Sequence, residues 1–322
     1  MMNRRELAAA LAVPAILTGR AGAQGFDRPL RLIIPYGAGG TSDILARLMQ
    51  PELTRQIGQS VVVENRSGAA GLIGAGTVGQ SAPDGHTVLL MDPGIIATAP
   101  HMFTRLPFDG RAGLLPVAML VFAPYILGVH PSVQARTPDE FVALARRNPN
   151  ALNVAHSGVG TPNHLTAELL ARHWGVSLTM VPYRGGAPAM AAVVGGEAQM
   201  IVNGATAMLP FVQNDQIRAI ALSGSDRLAS MPNLPSFKDL DWPGTEAGTW
   251  QGIFVAPGTP PAIVARLERE FRAALAVPSV AARVRDIGGT PRAEDSAGVR
   301  DWLLREEATW GPVIRAANVR VD

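Results

Sequence analysis

The 322-residue sequence contains no cysteine, which excludes disulfide bonds, thiolate metal ligands and a lipid-modified cysteine at a processed N-terminus. Lysine is nearly absent as well: Lys238 is the only one, and it follows no glycine-rich loop. A phosphate-binding loop of the form GxxxxGK[ST] is therefore excluded. We expect no nucleoside triphosphate site.

The sequence also has few aromatic residues, 5%, and a formal net charge of only +2. Residues 1–23 hold three arginines and one glutamate, so the remainder of the chain is formally neutral. Nucleic-acid binding needs clustered positive charge and usually aromatic stacking surfaces. The composition therefore predicts no nucleic-acid partner.

Patterns for catalysis, metal binding and dinucleotide binding are weak or missing. The six histidines show no HExxH or HxxxH spacing, and Gly74–Gly79 fits GxGxxG but begins about ten residues after its predicted strand. Ser157 beside His156 is the best candidate nucleophile. However, Ala155 stands where a GxSxG elbow needs glycine, and neighbours on a strand point to opposite faces. We expect no enzyme, no metal and no cofactor, with an α/β hydrolase as a less favoured alternative.

What is present begins with an export signal in residues 1–23. Arg4 and Arg5 precede an apolar stretch, Leu7–Leu17, and Ala21–Ala23 supplies small residues for cleavage after Ala23. The predicted location is the periplasm. The surroundings of the two arginines also resemble a degenerate twin-arginine signal, so the export route stays open.

After this signal, short apolar runs alternate with helical stretches, which is the pattern of an α/β fold with parallel strands. Leu30–Pro35 is predicted as a strand and Ser42–Ile57 as a helix. Two apolar, extended stretches, Met119–Val129 and Gly248–Ala256, break the rhythm and are predicted to cross between domains.

These crossovers predict a discontinuous first domain and an inserted second one. The first domain is expected to comprise residues 24–124 plus 246–322, and the second to comprise residues 125–245. A chain of this length is more often two domains than one.

Two glycine- and hydroxyl-rich loops follow predicted strands, Tyr36–Asp43 and Ser157–His164. In such loops, backbone N–H groups and a helix N-terminus suit an anion. The alternative, ordinary turns with capping residues, remains open for each loop. The candidate binding residues in them are Tyr36, Gly39, Gly40, Thr41, Asp43, Ser157, Gly160, Thr161 and His164.

Three further candidates lie just after predicted strands. Arg66 and Arg184 could pair with a ligand carboxylate, although a surface or interdomain ion pair explains each equally well. Asn203 could provide one orienting hydrogen bond.

At these residues the sequence resembles the Bug family, the periplasmic substrate-binding components of tripartite tricarboxylate transporters. The resemblance runs from Arg28 to Asp322. The matching stretches are RPLRLIIPYGAGGTSDILARLM, VVVENRSGAAGLIGA, APDGHTVLLM, LNVAHSGVGTPNHLTAELL, VPYRGGAPAM and AANVRVD.

The resemblance implies a two-lobed, type II-like periplasmic-binding-protein fold with two crossover strands, closing on a ligand as a Venus flytrap. It also implies that the two loops grip a small organic carboxylate, partly through water, for delivery to a large and a small integral membrane subunit. A monomer is expected. The alternative in the same fold is a ligand-sensing protein that serves a signalling receptor.

The sequence departs from the family at two places. Val202 precedes Asn203 where members show Asp-Asn, and Asp92–Gly94 replaces a longer Ser/Thr-rich loop. With an acidic partner for a ligand amino group missing at Val202, a less polar or aromatic carboxylate is the expectation from the sequence.

Overall fold

The computed structural model describes residues 26–224, 227–292 and 294–321. The predicted signal peptide, residues 1–23, lies outside the described residues. Within those ranges, no helix combines the length and the apolar character needed to cross a bilayer.

Strands and helices alternate along the described chain. The strands are β1 (Leu30–Ile34), β2 (Val61–Asn65), β3 (Thr87–Met91), β4 (Leu115–Val129), β5 (Asn153–His156), β6 (Thr179–Pro182), β7 (Met200–Gly204), β8 (Arg218–Leu222), β9 (Gly248–Val255) and β10 (Thr290–Pro291). The helices are α1 (Thr41–Ile57), α2 (Leu72–Gly79), α3 (Gly94–Thr98), α4 (Gly110–Gly113), α5 (Pro138–Arg147), α6 (Pro162–Trp174), α7 (Gly186–Val194), α8 (Ala205–Gln213), α9 (Pro261–Ala276), α10 (Pro278–Asp286) and α11 (Ser296–Ala317).

The first lobe is built on β1, which pairs in parallel with β2 and β3. β9 runs antiparallel to β3 and pairs on its other side with the first part of β4. β10 also pairs with β4 in this half. Helices α1 and α9 pack together beside this sheet, and their apolar faces share one buried cluster with β1 and β3.

The second lobe repeats the parallel arrangement on β5, which lies between β6 and β7. The last part of β4 runs antiparallel to β7 and β8 and completes this sheet.

β4 is long enough to belong to both lobes. Its last pair with β9 is Pro124 with Gly248, and its first pair with β7 is Tyr125 with Gly204. The strand therefore passes from one lobe to the other between Pro124 and Tyr125. A two-lobed α/β fold joined by long strands is what the sequence predicts; the exact domain limits, 124/125 and 245/246, stay a prediction.

Helix α1 illustrates how the sequence positions the site. Leu45, Met49 and Leu53 recur every four residues and are fully buried, because side chains at this spacing share one helix face. Gly58 ends the helix in a left-handed conformation, φ 75°, and its N–H donates to the carbonyl of Thr54 over 3.1 Å. The N-terminus of this helix, at Thr41, follows the loop at the carboxyl end of β1.

Candidate functional site

A cleft lies between the lobes, beyond the carboxyl ends of β1, β3, β5 and β7. This is the edge at which open α/β sheets bind ligands. Its volume is about 480 Å³ when the mouth is included. The residues that line it are Tyr36, Gly40, Thr41, Ser42, Asp92, Tyr125, Ser157, Thr161, Pro162, Asn163, Gly186, Asn203, Thr249 and Gln251.

Three helices, α1, α6 and α7, begin at this cleft, and none has a side-chain cap. Away from the cleft, α5 is capped by Thr137, which accepts from the N–H of Glu140, and α11 is capped by Asp295, which accepts from the N–H of Gly298. Uncapped first turns leave N–H donors and a partial positive charge facing the cleft. The three helix starts therefore favour an anion between them.

The loop before α1 is held by Asp43, whose carboxylate faces its own loop. Asp43 Oδ2 accepts from the N–H of Gly39 at 2.9 Å and from Arg47 Nε at 3.0 Å, and Oδ1 accepts from Asn65 Nδ2 at 3.1 Å. Burial would raise the pKa of Asp43, but the hydrogen bonds from Arg47, Gly39 and Asn65 outweigh it and lower the pKa. Asp43 thus stays ionised and shapes the loop.

The loop before α6 is held by an equivalent polar network. Asn163 Nδ2 donates to Ser157 Oγ at 2.9 Å and to the carbonyl of Val202 at 3.2 Å. The Thr161 hydroxyl lies 2.7 Å from the carbonyl of Gly158 and 2.6 Å from Asn163 Oδ1. Because a hydroxyl has one proton, Thr161 donates to only one of them at a time.

His164 and His156 support this second loop from behind. Their rings stack with centroids 4.2 Å apart, and His164 Nδ1 accepts from the N–H of Gly160 at 3.1 Å. His156 Nδ1 lies 2.9 Å from the carbonyl of Gly158. Burial, with a smaller contribution from the charge of His164, lowers the pKa of His156 to about 3. His156 is therefore neutral near pH 7.

Asp92, Thr249 and Gln251 line the part of the cleft that we call its floor, which carries acceptor groups. Asp92 Oδ1 accepts from the N–H of Gly94 at 2.9 Å, and the carboxyl group also accepts from the Thr249 hydroxyl and the N–H of Trp250. Burial is the main cause that raises the pKa of Asp92 to about 7, and the nearby charge of Glu306 adds to it.

Glu306, on α11, is the second acidic group in this region. Its Oε2 accepts from Trp310 Nε1 at 2.7 Å. Burial raises the pKa of Glu306 to about 7 despite that hydrogen bond. Two carboxyl groups in one poorly solvated region thus resist ionisation together.

The structure brings half of the predicted site residues to the cleft lining. They are Tyr36, Gly40, Thr41, Ser157, Thr161 and Asn203. Tyr36 also donates from its hydroxyl to the carbonyl of Asp92 at 3.2 Å, and Asn203 Oδ1 accepts from the N–H of Gly204 at 3.0 Å.

The other half is not in the lining. Gly39, Asp43, Gly160 and His164 belong to the two loops but do not line the cleft, and within each loop they are joined by the hydrogen bonds described above.

The two arginines proposed from the sequence lie outside the cleft as well. The Arg66 side chain is 55% exposed and its Nη2 lies 3.4 Å from Glu64 Oε2, which is the surface ion pair that the sequence left open. Arg184 is exposed and lines a neighbouring pocket on the other side of Tyr36.

Eight lining residues escaped the sequence prediction. They are Ser42, Asp92, Tyr125, Pro162, Asn163, Gly186, Thr249 and Gln251. Ser42, Pro162 and Asn163 stand inside the two loops that were singled out. Thr249 and Gln251 had a weaker signal: two polar residues at alternate positions in an otherwise apolar crossover strand, hence on one face.

The lobes touch across the cleft. Thr98 Oγ1 donates to the carbonyl of Gly160 over 2.8 Å. A Cβ atom added to Gly94 would lie 2.2 Å from Pro162 Cγ, and one added to Gly158 would lie 3.2 Å from Ala70 Cβ. The two lobes are therefore in contact beside the cleft.

Among the residues the structure describes, no group of three or more His, Asp or Glu side chains could hold a metal ion, and no Lys or Arg lines the cleft. The lining groups that can donate to an anion are backbone N–H groups, hydroxyls and side-chain amides.

Comparison with known proteins relates this chain to a protein family. The sequence model described as "Tripartite tricarboxylate transporter family receptor" matches residues 45–319. A curated relative from Pseudomonas sp. strain P51, named as a UPF0065 protein in the tcbD-tcbE intergenic region, is 33% identical over 97% of this chain and 94% of its own.

Two solved structures share the fold. The periplasmic binding protein BugD superimposes with a TM-score of 0.87 at 26% identity, covering 92% of this chain and 99% of that one. R. palustris Rpa4515 with adipate gives a TM-score of 0.87 at 30% identity, covering 91% and 98%. The two-lobed periplasmic-binding-protein fold and the Bug resemblance are thus confirmed, and the chain belongs to the tripartite tricarboxylate transporter receptor family.

Proposed function

We propose that this protein binds one small organic carboxylate in the interdomain cleft and delivers it to a tripartite tricarboxylate-type membrane transporter. The observation that carries the proposal is the convergence of three uncapped helix starts, those of α1, α6 and α7, on one cleft. Rpa4515, which shares the fold, is described with adipate, a carboxylate.

The carboxylate oxygens would accept hydrogen bonds from the first-turn N–H groups of α1 and α6, with the hydroxyls of Thr41, Ser157 and Thr161 beside them. Waters could bridge part of this contact without weakening it greatly. Because one helix belongs to each lobe, a bound carboxylate would stabilise the closed arrangement.

Binding without turnover is part of this proposal. Ser157 Oγ accepts from Asn163, and His156 is turned to the carbonyl of Gly158 and is only 1% exposed. A nucleophile and a base in hydrogen-bond contact are needed to activate a serine, and these two side chains have other partners.

The proposal also covers the cellular location of the protein, its oligomeric state and its membrane partners. We propose that residues 1–23 direct export to the periplasm, that the mature chain acts as a monomer, and that its partners are one large and one small integral membrane subunit. Membership in a transporter receptor family supports this placement.

A thermal-shift screen of residues 24–322 tests the proposal. The panel contains mono-, di- and tricarboxylates, amino acids, aromatic acids and the uncharged amides of each. A ligand at a hundredfold excess over its Kd stabilises the folded state by about 2.7 kcal/mol, so a binder raises Tm by several degrees. Hits among acids support the proposal; hits confined to uncharged compounds would refute it.

A further inference from the structure

One acceptor on the cleft floor has no partner. Gln251 lines the cleft from β9 and is only 1% exposed, and its Nε2 donates to Thr249 Oγ1 at 2.8 Å. Gln251 Oε1 is buried and makes no hydrogen bond within the described part of the chain. A buried acceptor that has lost its water is unfavourable unless a donor replaces the water.

The neighbouring hydrogen bonds fix the orientation of this amide. Thr249 Oγ1 accepts from Gln251 Nε2 at 2.8 Å, and a hydrogen bond from the Thr249 hydroxyl is one of the causes that lower the pKa of Asp92, so the hydroxyl proton is directed to Asp92. The amide NH₂ must then face Thr249. The group left without a partner is therefore the carbonyl oxygen, an acceptor.

Asp92 lines the same cleft as Gln251. Met91 pairs with Gly252 in the β3–β9 ladder, so Asp92 and Gln251 are the next residues opposite each other. In its ionised form the Asp92 carboxyl group offers about four acceptor positions, and three donors are directed to it: the N–H of Gly94, the Thr249 hydroxyl and the N–H of Trp250.

We propose that Gln251, together with Asp92 in its ionised form, provides acceptors that select carboxylates carrying a hydrogen-bond donor, a hydroxyl or an ammonium group, at a distance from the carboxylate. This inference rests on the proposed function. The helix starts of α1, α6 and α7 receive the carboxylate, and the floor receives the donor. The sequence, with Val202 in place of an acidic residue, favoured a less polar or aromatic carboxylate. The proposed acceptors favour a more polar one, because the acidic group of Asp92, which follows β3, lines the cleft.

The test is a calorimetric titration with matched acids. Butyrate and hexanoate are compared with the 2-, 3- and 4-hydroxybutyrates, 6-hydroxyhexanoate, 4-aminobutyrate and 6-aminohexanoate. Ethers such as 4-methoxybutyrate keep the oxygen but lack the proton. At least one donor-bearing acid should bind about tenfold or more tighter than its parent acid and its ether, since leaving polar groups of a site unpaired is costly.

A matched pair of variants locates the effect. Gln251→Met removes the acceptor at similar side-chain length and should abolish the preference for the donor-bearing acid. Gln56→Met is the control, because Gln56 Oε1 on α1 is also buried without a partner in the described chain but does not line the cleft. It should leave the preference unchanged.

The inference is overturned if the parent acids and ethers bind as tightly as the donor-bearing acids, if the donor-bearing acids fail to bind, or if Gln251→Met keeps the preference. Equal binding would mean that water satisfies Gln251. These results would leave the carboxylate site itself intact, whereas an absence of binding by every acid of the wider screen would refute the proposed function instead.

Discussion

Asp43 does not line the cleft, and its carboxylate organises the loop before α1. It joins the N–H of Gly39, the guanidinium of Arg47 and the amide of Asn65. Its contribution to binding is therefore the shape of the loop that precedes α1. A residue of this kind affects affinity through the backbone groups that it positions.

We expect Asp43→Ala to lower the free energy of unfolding by about 1–3 kcal/mol, because it removes the hydrogen bonds that the ionised carboxylate accepts from Gly39, Arg47 and Asn65. Carboxylate affinity should fall as well. Urea unfolding and calorimetry measure the two effects. Asp139→Ala, at an exposed position in the first turn of α5, is the control. Equal, small effects of the two variants would contradict the assigned role.

The raised pKa values of Asp92 and Glu306 predict that the free energy of unfolding falls as the pH rises. A carboxylate in an ion pair, whose pKa is lowered, has the opposite effect. The pKa values of Asp92 and Glu306, each about 7, lie above the value of about 4 that such groups have in an unfolded chain. The folded state therefore holds these protons more tightly. Raising the pH from about 4 to about 7 should lower their contribution to the free energy of unfolding.

Asp92→Asn and Glu306→Gln should each make this decline shallower, by on the order of 1 kcal/mol or more between the two pH limits. Urea unfolding at a series of pH values measures it. Parallel pH curves for the variants and the original protein would show that neither carboxyl group titrates abnormally.

At the scale of elements, the start of α6 meets the start of α3 across the cleft. Gly94 opens α3, and no side chain fits there because Pro162 Cγ of α6 would lie 2.2 Å from a Cβ atom. A rigid proline ring cannot move aside as a flexible side chain can. The position of the α6 N-terminus thus depends on glycine at residue 94.

Gly94→Ala should displace the start of α6 and weaken carboxylate binding about tenfold or more, since misplaced donors lose their hydrogen bonds. Gly76→Ala in α2 is the control: its Cβ would meet Phe108 at an ordinary 3.5 Å, and alanine favours a helix. Titration calorimetry compares the two. If Gly94→Ala binds as tightly as Gly76→Ala, the proposed close contact does not position α6.

Helices and strands whose apolar residues recur with a strong period could be predicted from the sequence. The helix expected at Ser42–Ile57 is α1, Thr41–Ile57, because its apolar residues recur at helical spacing. The crossover expected at Gly248–Ala256 is β9, Gly248–Val255. In contrast, α3 and α10 were not anticipated, since a five-residue helix and a helix entered directly from α9 carry little periodic signal.

At the scale of the whole molecule, the site is formed by segments far apart in the chain. Loops after strands could be predicted to meet, because the carboxyl ends of parallel strands share one edge. The residues of the floor could not be predicted in this way. Asp92, Thr249 and Gln251 come together through the antiparallel register of β3 and β9, which local sequence patterns do not determine.

A carboxylate bound in the cleft would join the two lobes. α1 lies in one lobe and α6 in the other, so an anion between their first turns bridges both. Neutralising that anion removes the attraction of two helix N-termini while keeping the shape of the ligand.

The most direct measurement of the central claim is a calorimetric titration of residues 24–322 with a carboxylic acid found in the screen and with its primary amide. We expect the acid to bind about ten- to a hundredfold more tightly, because the helix N-termini interact with its negative charge. An amide that binds as tightly as the acid would contradict the claim that these helix starts hold a carboxylate.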